Sequence, residues 1–198
     1  MTKKGSPKRA HVYRNYEDTD RFLIEVALDN YEDMFNEWDP APFKRRDIDP
    51  DLRTFLDDCS REISLKHPLA IAFFLPKGEI DPEKQQKCIE GLHTFFIFNR
   101  HLTERVIRYS RRTALRYLLI GLLFLLIAVG FDKQFEKTVL SGVLGQGLFI
   151  GGWLFVWEAL SIIVFKGGTL NLRLKKWDRF LDAPITFKKE RRPEQVFE

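Results

Sequence analysis

Two long apolar stretches dominate the hydrophobic pattern in the second half of the chain. Residues 117–131 carry no charge, and the single charged residue within 139–165 is Glu158. A helix needs about 20 apolar residues to cross a hydrocarbon core of roughly 30 Å. The pattern therefore predicts two transmembrane helices, near residues 114–131 and 144–165.

The first half of the chain alternates short apolar runs with amphipathic segments. Residues 22–28 and 69–75 are apolar runs bounded by charged or turn-forming residues, which is typical of strands. A helix is predicted to begin after Asp49, with Pro50 at its first position. A second helix should begin at the Asp81-Pro82 pair and continue without a break into the first span. The order strand, helix, strand, helix predicts a parallel β-α-β unit.

This pattern divides the chain into five segments and predicts an α+β membrane protein. We expect a disordered tail over residues 1–20, a small cytoplasmic β-α-β-α domain over 21–104 and an antiparallel transmembrane hairpin over 105–166. An amphipathic segment follows at 169–181, and two alternatives are open for it: it lies on the membrane surface, or it packs on the domain. Residues 184–188 are predicted to return as a strand that joins the sheet.

Basic residues at the ends of both spans set the expected orientation. Five arginines lie at or directly before the start of the first span, and five lysines and arginines follow the second, whereas the charges of the short connector cancel. Lys and Arg near span ends favour the cytoplasmic side. We therefore expect a multi-pass protein of the inner (plasma) membrane with both termini in the cytoplasm. Because these flanks account for the net charge of +4, the lipid bilayer is an expected partner and nucleic acid is not.

The second span carries a row of small and polar residues at spacings of three and four. Two glycines at such spacing allow another helix to approach closely, and an ionisable group inside the bilayer should be paired, protonated or next to water. The row therefore predicts a face that meets another helix, in the hairpin or in a homo-oligomer. Arg116 and Tyr117 of the first span are the expected partners of Glu158, and Trp153 and Trp157 are interpreted as packing residues. The row consists of Gly147, Gly151, Leu154, Glu158 and Ser161.

Patterns typical of enzymes and cofactor sites are missing from the sequence. The four histidines lie far apart, without metal-ligand spacing, and no Gly-rich phosphate loop or nucleophile elbow is present. Cys59 and Cys88 are interpreted as free thiols. We therefore expect no metal, no cofactor and no catalytic residue. An enzymatic site would have to form in the 38–50 loop, from Asp39, Arg45, Arg46 and Asp47.

Three blocks of sequence resemble an uncharacterised family of prokaryotic membrane proteins with two transmembrane helices and a cytoplasmic α/β domain. The blocks are residues 35–64 with the following HPLAIAFFLP, residues 151–160 (GGWLFVWEAL) and the RLKKWDRFLDAPI segment. The resemblance covers residues 21–187. It implies the architecture described above and brings no known activity, while it includes Trp153, Trp157 and Glu158.

Three functions are compatible with this sequence. The first is a non-enzymatic, membrane-anchored binding or assembly module with a protein partner or a small ligand, and the absence of catalytic patterns favours it. The second is an oligomeric effector or channel that is gated by the cytoplasmic domain and built around Glu158. The third is an enzyme with its site in the 38–50 loop. For Glu158 itself, a structural ion pair and an ion or proton pathway are the two alternatives.

Overall fold

The computed structural model describes residues 13–16, 19–41, 46–76, 81–134 and 139–189. It is an α+β structure with a three-stranded parallel sheet and two long apolar helices that could cross a membrane. A 3₁₀ turn at Tyr31–Met34 and a π-helical turn at Ile162–Lys166 complete the described elements. The main elements, in chain order, are β1 (Phe22–Ala27), α1 (Pro50–Glu62), β2 (Leu69–Leu75), α2 (Pro82–Gln134), α3 (Val139–Ser161), α4 (Gly167–Leu181) and β3 (Ile185–Lys189).

The chain forms two compact units. The sheet unit consists of residues 1–100 together with 175–198, and the helical unit consists of residues 101–174. Two helices therefore contribute to both units: α2 begins in the sheet unit and α4 ends in it.

The sheet has the order β1-β2-β3, with all strands parallel. Ile24 of β1 is the register partner of Ile71 of β2, which in turn pairs with Ile185 of β3. Parallel neighbours need a crossover connection, usually a helix. Helix α1 supplies the first crossover. The second contains the whole of α2, α3 and α4, so the apolar helices are inserted between two neighbouring strands of one sheet.

Aspartates cap the helices of the sheet unit at the predicted starts. The Asp49 carboxylate accepts hydrogen bonds from the backbone N–H groups of Asp51 (2.8 Å) and Leu52 (3.1 Å) at the start of α1. Asp81 does the same for Glu83 at 2.9 Å at the start of α2. Each carboxylate satisfies N–H groups that have no partner inside the helix. The local sequence therefore fixes where both helices begin.

The core of the sheet unit lies between one face of the sheet and helices α1, α2 and α4. Phe96 of α2 and Phe180 of α4 are buried, and their rings stack with centroids 5.2 Å apart. Trp177 is also buried, beside Phe95 and Phe96. Of the two alternatives for segment 169–181, the structure therefore has packing on the domain for its second half. The remaining core side chains include Ile24, Ile71, Phe73, Leu56 and Leu92.

The start of the described chain lies beside the edge of β1. The backbone N–H of Leu23 donates to the carbonyl oxygen of Arg14 at 2.9 Å, and Asn15 forms an isolated antiparallel bridge with Phe22. Backbone groups at the edge of β1 thus find partners in residues that composition alone assigned to a disordered tail. Residues 1–12 and 17–18 of that predicted tail lie outside the described residues.

In the helical unit, small residues lie at the contact between α2 and α3. Gly121 and Gly152 approach so closely that a β-carbon added at Gly121 would lie 2.9 Å from the Gly152 carbonyl oxygen. Ala114 and Ala128, each seven residues from Gly121, are buried on α2, and Ala159 is buried on α3. A seven-residue repeat keeps one face of a helix against its neighbour, and small residues let the two backbones approach.

Most of the apolar surface of the helical unit faces outward. Within the most apolar window of each long helix, 17% of the residues are buried. A core helix of a water-soluble protein would have most of its apolar residues covered. The exposed side chains are mainly leucine, isoleucine, valine and phenylalanine, which is the surface expected of a helix that faces lipid.

Candidate functional site

A cavity of about 300 Å³ lies in the sheet unit and is a candidate binding site. Its size is at the lower end of the range for small-molecule sites. Helices α1, α2 and α4 contribute most of its lining residues, with one residue from the segment before α1. These residues are Ile48, Arg53, Thr54, Leu56, Asp57, Asp58, Arg61, Phe95, Phe96, Lys176, Trp177 and Phe180.

Aromatic rings form the apolar part of the cavity wall. Phe95 and Trp177 meet edge to face with centroids 6.1 Å apart, and Trp177 also lies 6.2 Å from Phe180. Edge-to-face and tilted pairs are favourable arrangements for aromatic rings. The wall is therefore a packed aromatic cluster beside the cavity.

Charged residues line the cavity beside these rings. Asp57 accepts a hydrogen bond from Lys176 and pairs with Arg61 at 2.8 Å. The Lys176 ammonium also lies 4.3 Å from the centroid of the Trp177 ring, within the range of a cation–π contact. One carboxylate thus joins a cation of α4 to a cation of α1.

Arg53 differs from the other cations of the cavity. Its guanidinium carbon lies 5.8 Å from the centroid of the Phe95 ring. In the part of the chain that the structure describes, it has no carboxylate partner. A guanidinium in this position can bind a carboxylate or phosphate with two parallel hydrogen bonds. Arg53 is therefore the group that would recognise an anionic ligand.

A second arginine, Arg179, connects two of the helices that line the cavity. Its buried guanidinium donates to the carbonyl oxygens of Ser60 (3.0 Å), Ile63 (3.2 Å) and Ser64 (2.9 Å). The last carbonyl groups of a helix have no partner within the helix, and the side chain from α4 satisfies them at the end of α1. Burial lowers the pKa of Arg179 from its ordinary value. Because α1 and α4 both line the cavity, this contact positions the two walls.

The 38–50 loop, where the alternative enzymatic site was expected, has its Asp39 carboxylate engaged by backbone groups. Both Asp39 carboxylate oxygens accept backbone hydrogen bonds, from Asp47 at 2.8 Å and from Ala41 at 3.0 Å. These bonds hold the pKa of Asp39 below its ordinary value. Arg46 donates to the Ala41 carbonyl oxygen at 3.2 Å. Asp39 and Arg46 thus close the loop, whereas Arg45 lies outside the described residues.

The described part of the chain offers no reactive thiol and no metal-binding cluster. Burial raises the pKa of Cys88 to about 12 and also raises the pKa of Cys59. A thiol must lose its proton to act as a nucleophile, so both are protonated at neutral pH. No group of three or more His, Cys, Asp or Glu side chains that could hold a metal ion occurs within the described residues.

Three of the residues that the sequence predicts at the helix contact are at least half-buried: Tyr117, Gly151 and Ser161. Tyr117 packs against Phe155 with ring centroids 5.9 Å apart. Gly151 lies against Phe124, which would be 3.6 Å from an added β-carbon. Ser161 is half-buried. Tyr117 and Gly151 thus lie at or beside the contact between α2 and α3.

The other candidate residues face outward from the helical unit. Glu158 and Arg116 are exposed, and the described residues contain no hydrogen bond or ion pair to either side chain. The expected pairing of Glu158 with Arg116 or Tyr117 is therefore not formed within this part of the chain. Exposed positions in the same set are Gly147, Trp153 and Trp157.

The face of α3 that packs against α2 lies one residue away from the predicted row. Gly152 and Ala159 are buried where the prediction had Gly151 and Glu158. Both rows contain small residues at helical spacing, so periodicity favours neither. The close contact of Gly152 with Gly121 decides between them.

The cavity has no signature in the local sequence patterns. Trp177, Lys176 and Phe180 belong to segment 169–181, for which the sequence leaves two placements open. The spacing of Trp177 and Phe180, three residues apart on a helix, was the available signal for a second apolar face. The partners of these residues on α1 and α2 are distant in sequence, and only folding brings them together.

Comparison with known proteins adds no relative: no family model, no curated protein and no solved structure matches the chain. The resemblance to a two-span prokaryotic family therefore stays a prediction.

Proposed function

We propose that this protein is a non-enzymatic binding module that the two long apolar helices anchor in a membrane. The supporting observation is the continuity of the helices that wall the cavity. Helix α2 carries Phe95 and Phe96 and continues through the charge-free segment 117–131. Helix α4, which carries Lys176 and Trp177, follows α3 through the π-helical turn at Ile162–Lys166. The binding site and the anchor are thus parts of the same helices.

The membrane placement has two independent supports. The outward surface of both apolar helices is largely hydrophobic, and basic residues are concentrated at the ends of the segments that lead to the sheet unit. Under the positive-inside rule this arrangement favours a cytoplasmic location for the sheet unit and both termini. In this proposal α2 and α3 form an antiparallel hairpin in the plasma membrane.

The chemistry of the cavity indicates a ligand with one anionic group next to an apolar or aromatic part. Arg53 supplies the cation without a carboxylate partner, and Phe95 and Trp177 supply the aromatic surface. The remaining charges of the lining balance one another, because Asp57 and Asp58 oppose Lys176 and Arg61. The ligand can be a small molecule or the side chain of a protein partner.

A fragment-binding experiment tests this function on the full chain in lipid nanodiscs. The probes are simple aromatic carboxylates and their matched neutral amides, detected by saturation-transfer NMR. We expect the carboxylates to bind the wild type, and their signal to fall at least about tenfold in Arg53→Glu, because the charge-assisted hydrogen bonds are lost. Lys66→Glu makes a matched charge reversal at an exposed residue outside the cavity and should retain binding.

Two results would count against the proposal. Equal binding to the wild type and Arg53→Glu would show that Arg53 is not the recognition group. Release of the chain from membranes by alkaline carbonate would show that the apolar helices do not anchor it.

An effector or channel function is a second proposal, and the exposed carboxylate of Glu158 favours it. An ionisable side chain in an apolar segment lines a pathway when several copies surround it. Dye or proton leak from vesicles that contain the chain, compared between wild type and Glu158→Gln, separates this function from simple anchoring. We propose no reaction in the 38–50 loop, because the Asp39 carboxylate is engaged by backbone N–H groups.

A further inference from the structure

Glu158 has an unusual environment for a carboxylate. It lies near the end of the apolar segment of α3, where its side chain is exposed and has no hydrogen-bond or ion-pair partner in the described chain. If α3 crosses a membrane, as the proposed function requires, this surface faces lipid. A charged side chain there is costly unless another group pairs with it.

Arg116 has the same properties on the neighbouring helix. It adjoins the charge-free segment of α2, is exposed, and also has no partner among the described residues. Since Tyr117 next to it packs on Phe155, the backbone of α2 is fixed at this point. Arg116 is therefore a second unpaired charge, of opposite sign, on the outer surface of the helical unit.

The contacts between α2 and α3 place these two charges at the same level. Gly121 lies against Gly152 and Val156, and Gly151 lies against Phe124, so residue numbers rise along one helix as they fall along the other. Arg116 is five residues before Gly121, so its level on α3 lies five residues beyond 152–156. That level is 157–161 and includes Glu158. Both helices rise by about 1.5 Å per residue, so the correspondence holds over this short distance.

We propose that a second copy of this chain docks on this surface, with Glu158 of each copy paired to Arg116 of the other. Copies that are inserted with the same orientation are related by an axis along the membrane normal. Such an axis keeps every residue at its own depth. Pairing between copies therefore requires two opposite charges at one depth, and the register of α2 and α3 provides them. A dimer contains the pair twice and leaves neither charge facing lipid.

The surface beside Glu158 can admit another helix. A β-carbon added at Gly147 would meet no atom within 4 Å, and Leu154 and Glu158 on the same face are exposed. The contact between α2 and α3 uses Gly152 instead. A small residue such as Gly147 allows a close approach of the second copy. The charges at Glu158 and Arg116 set the register of that copy.

The test measures energy transfer between donor-labelled and acceptor-labelled full-length chains in lipid vesicles. Dyes are attached at the N-terminus, and the chain-to-lipid ratio is varied to obtain the dissociation constant. In Glu158→Arg both positions carry positive charge, and in Arg116→Glu both carry negative charge. We expect each single variant to weaken association about tenfold or more, because two pairs are lost at once. Arg112→Glu, an exposed charge reversal one turn away, should associate like the wild type.

Mixing the two single variants is the decisive measurement. Donor-labelled Arg116→Glu and acceptor-labelled Glu158→Arg again form opposite pairs, but only between different chains. We expect the mixture to recover the wild-type dissociation constant. Recovery in a double variant that carries both reversals on one chain, without recovery in the mixture, would show that the pair forms within one chain and would overturn the proposal.

Two further results decide the remaining cases. Glu158→Gln is the milder variant if the charge reversals do not insert, and wild-type association in this variant contradicts the proposal. Carbonate extraction of the same samples reports membrane anchoring separately. A chain that stays in the membrane without self-association refutes this inference and leaves the proposed function intact.

Discussion

Replacement of Arg179 by methionine should loosen the contact between α1 and α4. Methionine has a similar length and no donor groups, so it preserves much of the packing and removes the four hydrogen bonds to Ser60, Ile63 and Ser64. Three of the acceptors are backbone carbonyl oxygens at the end of α1. They would lose their partner in a region where Ser60 and Ile63 are buried.

The size of the stability loss in Arg179→Met follows from the number of hydrogen bonds removed and the cost of burying the guanidinium. Each hydrogen bond contributes roughly 0.5–1.5 kcal/mol net, which gives about 2–6 kcal/mol for four bonds. Part of this is offset because the wild type buries a cation, and burial lowers the pKa of Arg179. We therefore expect the free energy of opening α1 to fall by about 2–4 kcal/mol.

Thiol labelling under native conditions measures this free energy. Cys59 is buried on α1 and Cys88 is buried on α2, so their reaction with a disulfide reagent requires opening of the fold. Because 1.4 kcal/mol corresponds to a factor of ten, labelling of Cys59 in Arg179→Met should be about 30- to 1,000-fold faster. Labelling of Cys88 distinguishes opening of α1 alone from unfolding of the whole sheet unit.

The matched control is Arg173→Met. Arg173 is an exposed arginine of α4 in the helical unit, and its replacement should leave the labelling of both thiols unchanged. Arg179→Lys keeps the charge without the planar fork and should have an intermediate rate. A labelling rate of Cys59 in Arg179→Met within threefold of the wild type would refute the assigned role of the guanidinium.

Three further predictions concern the helix start, the helix contact and a buried thiol. Asp49→Ala should destabilise α1 by about 1 kcal/mol, measured as faster Cys59 labelling, because two N–H groups lose their acceptor. Gly152→Ala should destabilise the protein by about 1–3 kcal/mol, measured as a lower melting temperature in detergent. The cause is crowding: the added β-carbon would lie 2.8 Å from the Leu125 side chain and 3.0 Å from a backbone oxygen. Gly147→Ala is its control and should cause no loss. Burial raises the pKa of the Cys88 thiol from 9.0 to about 12, so the folded state keeps a proton that the unfolded state loses between these pH values. The stabilisation is full below pH 9 and is lost as the pH rises toward 12, and the urea midpoint of Cys88→Ala should fall less steeply over this range than that of the wild type.

Each of these predictions has an outcome that contradicts it. Unchanged Cys59 labelling in Asp49→Ala would show that the cap contributes little. A melting temperature that falls equally in Gly147→Ala and Gly152→Ala would contradict the assignment of the helix contact. For Cys88, identical pH dependence in the variant and the wild type would show that another group causes the loss at high pH.

Much of the fold could be predicted from local sequence patterns. Asp49 with Pro50, and Asp81 with Pro82, mark helix starts through the chemistry of their own side chains, and the structure has both helices beginning there. The apolar run 69–75 becomes β2, which is buried on both faces as its composition indicates. The absence of charge over long segments determines the two apolar helices. In each case the cause lies within about one or two helical turns of the residue concerned.

The candidate site could not be predicted in this way, because its parts are distant in sequence. Lys176 meets Asp57 of α1, and Arg179 meets the end of the same helix, across more than 100 residues. Periodicity gave the correct element for these residues and left their partners open. The 38–50 loop shows the converse: charged residues suggested chemistry, and the hydrogen bonds of Asp39 show a structural role.

The sequence by itself determined that this chain has apolar helices long enough for a membrane, parallel strands before them and a carboxylate inside the second apolar segment. The tertiary structure decided which face of that segment packs, because Gly147, Gly151 and Gly152 have similar spacing and differ only in what lies opposite them. It also decided that Trp177 lies in the core of the sheet unit. Composition and spacing determine which type of element a segment forms. The residues that pack against it are distant in sequence, so only the folded structure determines its partner.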